Sequence, residues 1–136
     1  MKIIFLLYTL VLLAVCTSCN KENVIKNNGI YGKWQYKEVY DGYFNGGNFT
    51  WTKITTDNSH TREFKNNGQF IQKEDKNGDY RVCTGNFQYQ TDSLYINSNC
   101  ISTMQVNFVS ELTATTLIID QPVDEGVIRL KYVAIK

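Results

Sequence analysis

The residues able to carry chemistry are few: four cysteines (Cys16, Cys19, Cys83 and Cys100) and a single histidine, His60. Cys16 and Cys19, in LLAVCTSCNKEN, stand three apart, as a redox dithiol does. A redox Cys-x-x-Cys draws its low thiol pKa from a helix N-terminus inside a βαβ unit, and nothing of that kind surrounds this one. Nucleophilic catalysis needs a base and an orienting group. His60 stands in the polar stretch DNSHTREF, read as an exposed loop, and its neighbours Asp57 and Ser59 are adjacent in sequence without forming a triad. One histidine without ligand spacing gives no zinc-type site. Asp75 opens DKNGDY like a calcium loop, but the sixth place lacks Gly and the distal Glu is missing, so it reads as a solvated hairpin turn. The chain is therefore expected to be no enzyme and to hold no metal or cofactor.

Ahead of Cys16, Lys2 precedes an apolar run from Ile3 to Val15 that only Tyr8 and Thr9 interrupt. That is short of the roughly 20 residues a bilayer crossing requires, and it has the charge, apolar core and small-residue exit of an export signal. CTSC resembles the lipobox of bacterial lipoprotein signal peptides. Ser18 is the small residue before the cut, Cys16 stands where Leu is usual, and Cys19 becomes the lipidated first residue of the mature chain. Val15 is too bulky for Cys16 to take that role. A single acyl chain binds membranes marginally, at about 0.8 kcal/mol per buried methylene, whereas two or three palmitate-class chains on Cys19 make a permanent anchor. The organisation expected is a signal peptide over residues 1–18, the lipidated Cys and a polar spacer over 19–29, and one domain over 30–136.

Removing residues 1–18 from 136 leaves 118, enough for one modest core. Losing Lys2 leaves 13 Lys and Arg against 13 Asp and Glu, a balance with no basic cluster and no footprint for nucleic acid. From Gly29 on, turn signals recur at short intervals (Asp41-Gly42, Gly46-Gly47, Asn66-Asn67-Gly68, Asn77-Gly78, Thr91-Asp92, Asp124-Glu125-Gly126) between runs rich in Tyr, Phe, Val, Ile and Thr. Short strands between such turns make an all-β sandwich or barrel.

Residue arithmetic then sets pairs. Met104, Val106 and Phe108 alternate with Gln105 and Asn107, and Ile128, Leu130, Tyr132 and Ala134 with Arg129 and Lys131; the apolar set of each is expected to face inward. In REFKNNGQF, a three-residue loop with Gly68 left-handed sets Phe64 opposite Phe70. A hairpin at YQTDSL pairs Tyr89 with Leu94 and Phe87 with Ile96, and the same sum of 183 joins Cys83 to Cys100, at about 4.5 Å between Cα atoms in a non-hydrogen-bonded pair. A disulfide there closes a loop worth about 3 kcal/mol in the chain-entropy model, unless a bulge near Gly85 shifts the register by one and leaves two buried thiols. Tyr36, Val39, Tyr40 and Tyr43 also fit a helix face; aromatic content and Gly42 favour a strand from Gly32 to Tyr40.

GIYGKWQY, with Gly32 two before Trp34, resembles the Gly-x-Trp opening of lipocalins. EFKNNGQF, GNFQYQTDSLYI and ELTATTLIID followed by LKYVAIK resemble successive hairpins of the small lipocalin-like lipoproteins of Bacteroidota. The resemblance implies an up-and-down antiparallel β-barrel of about eight strands, with Trp34 plugging its closed end beneath an Arg from near the chain end. Ala134 occupies the place of that Arg, and Arg129 is the available substitute.

In such a barrel, Phe64, Phe70, Phe87, Tyr89, Val106, Phe108 and Tyr132 are the candidates to contact a small hydrophobic ligand, or else to fill the interior as core. Tyr43, Phe44, Phe49 and Trp51, in YDGYFNGGNFTW, are the candidates for a mobile lip over the mouth or a docking patch for an envelope protein or glycan. The expected location is the bacterial cell envelope, on the periplasmic or surface side of the outer membrane.

Overall fold

The computed structural model describes residues 25–136; the expected export signal and the Cys16–Cys19 pair lie outside the described residues. Nine strands follow one another: β1 Gly32–Tyr43, β2 Trp51–Lys53, β3 His60–Phe64, β4 Gln69–Lys76, β5 Asp79–Gln90, β6 Ser93–Ser98, β7 Gln105–Leu112, β8 Thr116–Val123 and β9 Gly126–Ile135. A single turn of 3-10 helix, Thr56–Asn58, stands between β2 and β3. Each strand pairs antiparallel with the next around the sheet, and β1 pairs with β9 from Lys33–Ile135 to Tyr43–Gly126. Eight strands, β1 and β3 to β9, thus close a barrel; because β9 lies along one side of β1 throughout, the short β2 pairs with Glu38–Tyr40 on the side that β3 takes at Gly32–Gln35 and continues that part of the wall. Closure satisfies the backbone groups that an open sheet would leave bare. Among the described residues, the buried core lies between Ile30 and Tyr132, so residues 25–136 carry a closed barrel with a core of its own.

Local chemistry sets the tight connections. Asn77-Gly78 and Thr91-Asp92 are two-residue hairpin loops with positive φ at both central positions, the twist that antiparallel strands require. Gly68 takes the left-handed position of the 65–69 turn, and Phe64 pairs with Phe70. From Gln90–Ser93 to Gly85–Ser98, β5 and β6 keep the sum of 183. Thr84 and Asn99 extend it through the Thr84 N–H, which donates to Asn99 Oδ1 (2.8 Å), and the Asn99 N–H, which donates to the Thr84 carbonyl (3.0 Å). Cys83 and Cys100 are joined in a disulfide with Cα atoms 5.4 Å apart. That is wider than the ideal non-hydrogen-bonded pair because the ladder proper has ended at Ser98.

No bulge shifts this register. At Gly85 a Cβ would stand 1.9 Å from the Asn97 carbonyl oxygen, so glycine is there to let the two backbones approach. Tyr80 and Val82 simply face outward, at 61% and 40% exposure.

The ambiguity of Tyr36, Val39, Tyr40 and Tyr43 has a definite origin. β1 is a strand with a bulge at Lys37, where the pairing with β9 steps from Tyr36–Tyr132 to Glu38–Lys131. The extra residue puts Tyr36 and Val39, three apart, on one inward face, which is how a helix would space them.

Candidate functional site

The two ends of the barrel differ in chemistry. The closed end carries the start of β1 and the turns 65–68, 91–92 and 113–115. Ile30 is folded under it, and the Trp34 Nε1–H donates to the Ile30 carbonyl at 2.8 Å, leaving the indole fully buried. The Asn27 N–H donates to the Ala114 carbonyl (2.7 Å), and Asn27 Nδ2 donates to the Lys33 carbonyl (3.0 Å). Gly32, at φ +138°, lets this segment lie flat, since a Cβ there would run into the Asn27 side chain. Above this cap Phe64 packs on Phe70 and edge-on to Phe87, with ring centroids 5.5 and 4.9 Å apart.

Toward the open end the same inward faces turn polar. Period-two alternation takes β3 from Phe64 to Arg62 to His60, and β4 from Phe70 to Gln72 to Glu74. Arg62 is only 5% exposed. Its Nε–H donates to Gln72 Oε1 (2.7 Å), and the Gln72 amide in turn donates to Glu74 Oε1. The guanidinium lies 5.4 Å from the centre of the Tyr132 ring. His60 Nε2 and the Tyr132 hydroxyl are hydrogen-bonded at 2.9 Å, and the Tyr36 ring rests against the imidazole with centroids 4.7 Å apart.

Burial, with the Arg62 charge adding to it, lowers the His60 pKa to about 3, so the ring is neutral across the ordinary pH range. Burial likewise pushes the Tyr36 phenol up to about 12, with Asp41 contributing, and raises Tyr132 further. Among the described residues, two donors in this interior have no partner: Arg62 Nη1 and Asn107 Nδ2. At the rim, a cleft of about 180 Å³ is lined by Asp57–His60 and Glu74–Lys76. A second, of about 370 Å³, lies among Tyr43, Asn45, Val123–Glu125 and Ile128.

The sequence-based candidates separate across this frame. Phe64, Phe70 and Phe87 are buried in the apolar half. Tyr89 is half-buried near the closed end, its hydroxyl donating to Asp92 Oδ1 at 3.3 Å. Tyr132 lies in the polar layer and is fully buried. Val106 and Phe108 correct the expectation made for them: they point outward, 43% and 47% exposed, with Met104, while Asn107 and Val109 face in. The phase follows from β6, whose inward Leu94 pairs with Asn107 rather than with an apolar neighbour.

Tyr43 lines the larger rim cleft, and Phe44 and Phe49 are exposed at 83% and 52%. Trp51 does not join a lip over the mouth; it sits on the outer wall against Tyr40, with the Lys131 ammonium 5.6 Å from its ring. Arg129 also belongs to that wall, beside Tyr40 and bonded to Asp120 at 3.2 Å, so it does not cover Trp34. The arginine nearest that role is Arg62, the register partner of Trp34 on β3.

His60 is a second correction: it is a half-buried member of β3 and not a loop residue, because Tyr36 and Tyr132 close over it. Arg62, Gln72, Glu74 and Asn107 were missed altogether. The signal for three of them was present, since a Phe64–Phe70 pair that faces inward forces residues 62, 60, 72 and 74 inward by alternation.

A barrel of eight up-and-down antiparallel strands, capped at one end by a tryptophan on the first strand, decides the fold. The fold is lipocalin-like. Among solved structures, the chain resembles a lipocalin-like protein from Bacteroides uniformis, with a TM-score of 0.59 at 16% identity over 78% of this chain and 98% of that one. It also resembles an uncharacterized protein from Bacteroides eggerthii, with a TM-score of 0.56 at 16% identity over 77% and 98%. No family model matches the chain, and no curated protein matches it either. The likeness is therefore one of fold, at 16% identity in both comparisons.

Proposed function

We propose that the protein is a lipid-anchored binding protein of the bacterial cell envelope that carries a small, largely apolar molecule in the open half of its barrel. The observation supporting this most directly is the polar layer around Arg62, which lies beneath the mouth and keeps two buried donors unpaired. A barrel built only for stability would fill that layer with apolar side chains, because each unpaired buried donor costs about 1–3 kcal/mol. The lipocalin-like fold of the neighbour from B. uniformis is consistent with a ligand-binding scaffold. The anchor is Cys19, and its support is the lipobox-like CTSC. The reading includes no catalytic step.

Native mass spectrometry of the protein expressed as the full chain and recovered from the cell envelope tests the cargo: an adduct lost on unfolding is expected, and a bare mass after challenge with a lipid extract argues against it. Replacing Cys19 by Ala is expected to release the protein from membranes, and lipid labelling that persists in that variant would overturn the anchor.

One set of observations favours a second reading, an envelope interaction module that binds a protein or glycan. Met104, Val106 and Phe108 form an apolar stripe on the outer wall, and Phe44 stands almost free at the rim. Here the barrel would yield no displaceable ligand, and Phe44→Ala or Phe108→Ser would abolish capture of the partner.

A further inference from the structure

The interior holds an imbalance of charge. Among the described residues, the two ion pairs, Arg129–Asp120 and Lys131–Glu38, both lie on the outer wall. Arg62, the arginine buried at 5% exposure, is in neither. Its Nε is satisfied by a neutral amide, and the nearest carboxylate on that side, Glu74, reaches it only through Gln72. Buried charges are ordinarily paired directly, because a desolvated guanidinium without a counter-ion is costly. Glu74 and Asp41 are half-buried toward the mouth, and Asp57 and Asp75 are exposed at the rim, so water screens all four more than it screens Arg62.

The second unpaired donor stands on the opposite wall. In the closed order β1-β3-β4-β5-β6-β7-β8-β9, β3 and β7 are diametrically opposed. Asn107 faces inward from β7 at 3% exposure, with Nδ2 unpartnered. Unpaired donors thus face the interior from two opposite walls above the aromatic floor, and on the Arg62 side the cleft lined by His60 and Glu74 opens at the rim.

We infer that this layer receives the carboxylate of an amphipathic acid, which accepts from Arg62 Nη1 and Asn107 Nδ2 while its apolar chain runs toward the mouth. The assignment deepens the ligand-binding reading and rests on it. Nothing covalent is involved: the acid arrives ionised, sheds water, and becomes the counter-ion that Arg62 lacks. The apolar chain would then lie along Ile128, at the junction of the core and the larger rim cleft.

The deciding experiment compares oleate with oleyl alcohol, which share one hydrocarbon chain, by calorimetric titration of residues 25–136 below the micellar range. Oleate is expected to bind about tenfold or more tightly than the alcohol, as for a charge-assisted hydrogen bond. Arg62→Gln is expected to abolish that preference, so that oleate and oleyl alcohol bind alike. Should the variant not fold, the wild type still decides. The chain has three arginines, Arg62, Arg81 and Arg129, and the Arg62 Nε–H resonance should shift with oleate and stay still with the alcohol. Equal binding of acid and alcohol, without that shift, overturns the carboxylate assignment and leaves the ligand-binding reading standing. Failure of both to bind overturns the assignment, and it counts against the ligand-binding reading as well if no adduct copurifies from the envelope.

Discussion

The closed and open ends of this barrel are built on the same strands and differ in what those strands point inward. At one end Trp34, Phe64, Phe70 and Phe87 are buried apolar groups around a single polar atom, the indole nitrogen, and that atom is bonded. At the other, Arg62, His60, Gln72, Glu74 and Tyr132 are linked side chain to side chain and leave donors over. The first arrangement maximises burial; the second gives up part of that stabilisation to keep polar groups in place. The contrast divides the molecule into a half that secures the fold and a half that holds polar groups at some cost to it.

The largest expected effect breaks the stabilising half. Trp34→Ala removes the cap and should cost about 3–5 kcal/mol in urea unfolding. A loss under about 1 kcal/mol would mean the closed end does not hold the barrel together. Next comes the disulfide at the open end: Cys83→Ser with Cys100→Ser should lower stability by about 3 kcal/mol and leave the midpoint insensitive to reductant.

Proton linkage sharpens the comparison from the polar side. Native His60 stays neutral down to about pH 3, whereas the unfolded chain takes up a proton below about pH 6.5. Stability from this group is therefore complete above pH 6.5 and is lost as pH falls toward 3, with a slope of up to about 1.4 kcal/mol per pH unit. His60→Asn should flatten that limb, which urea midpoints across the range will report. The smallest effects belong to the outer wall: Phe108→Ser should change stability by no more than about 0.5 kcal/mol. Val109→Ala, one residue away but inward, should cost distinctly more, about 1–3 kcal/mol.

Legibility in the sequence followed how locally each feature is determined. The Phe64–Phe70 pair, the 183 register and the Cys83–Cys100 disulfide were readable because short turns fix phase within a few residues. The face of β7 was not. Alternation shows that residues 104 to 109 have two faces without saying which is inside, and the 99–104 connection that sets the phase from β6 carries no turn signature. Hydrophobicity then points the wrong way, because the outer wall keeps Val106 and Phe108 while the interior takes Asn107. His60 and Arg62 were hidden for the opposite reason: a polar run looks like a loop until Phe64 is followed backward two residues at a time. The bulge at Lys37, invisible in composition, made a strand mimic a helix.

The point where the chain enters the barrel bears on more than the fold. The Asn27 amide is bonded to the 113–115 turn, beside the Trp34 cap and across the molecule from the mouth. From Cys19 to Asn27 the chain can span at most roughly 30 Å even fully extended. A lipid on Cys19 would keep the capped end on a short leash from its leaflet and turn the aperture toward the aqueous compartment. Cargo would then be traded with carriers and surfaces on the far side, and the membrane that holds the protein would serve as its mooring rather than its source.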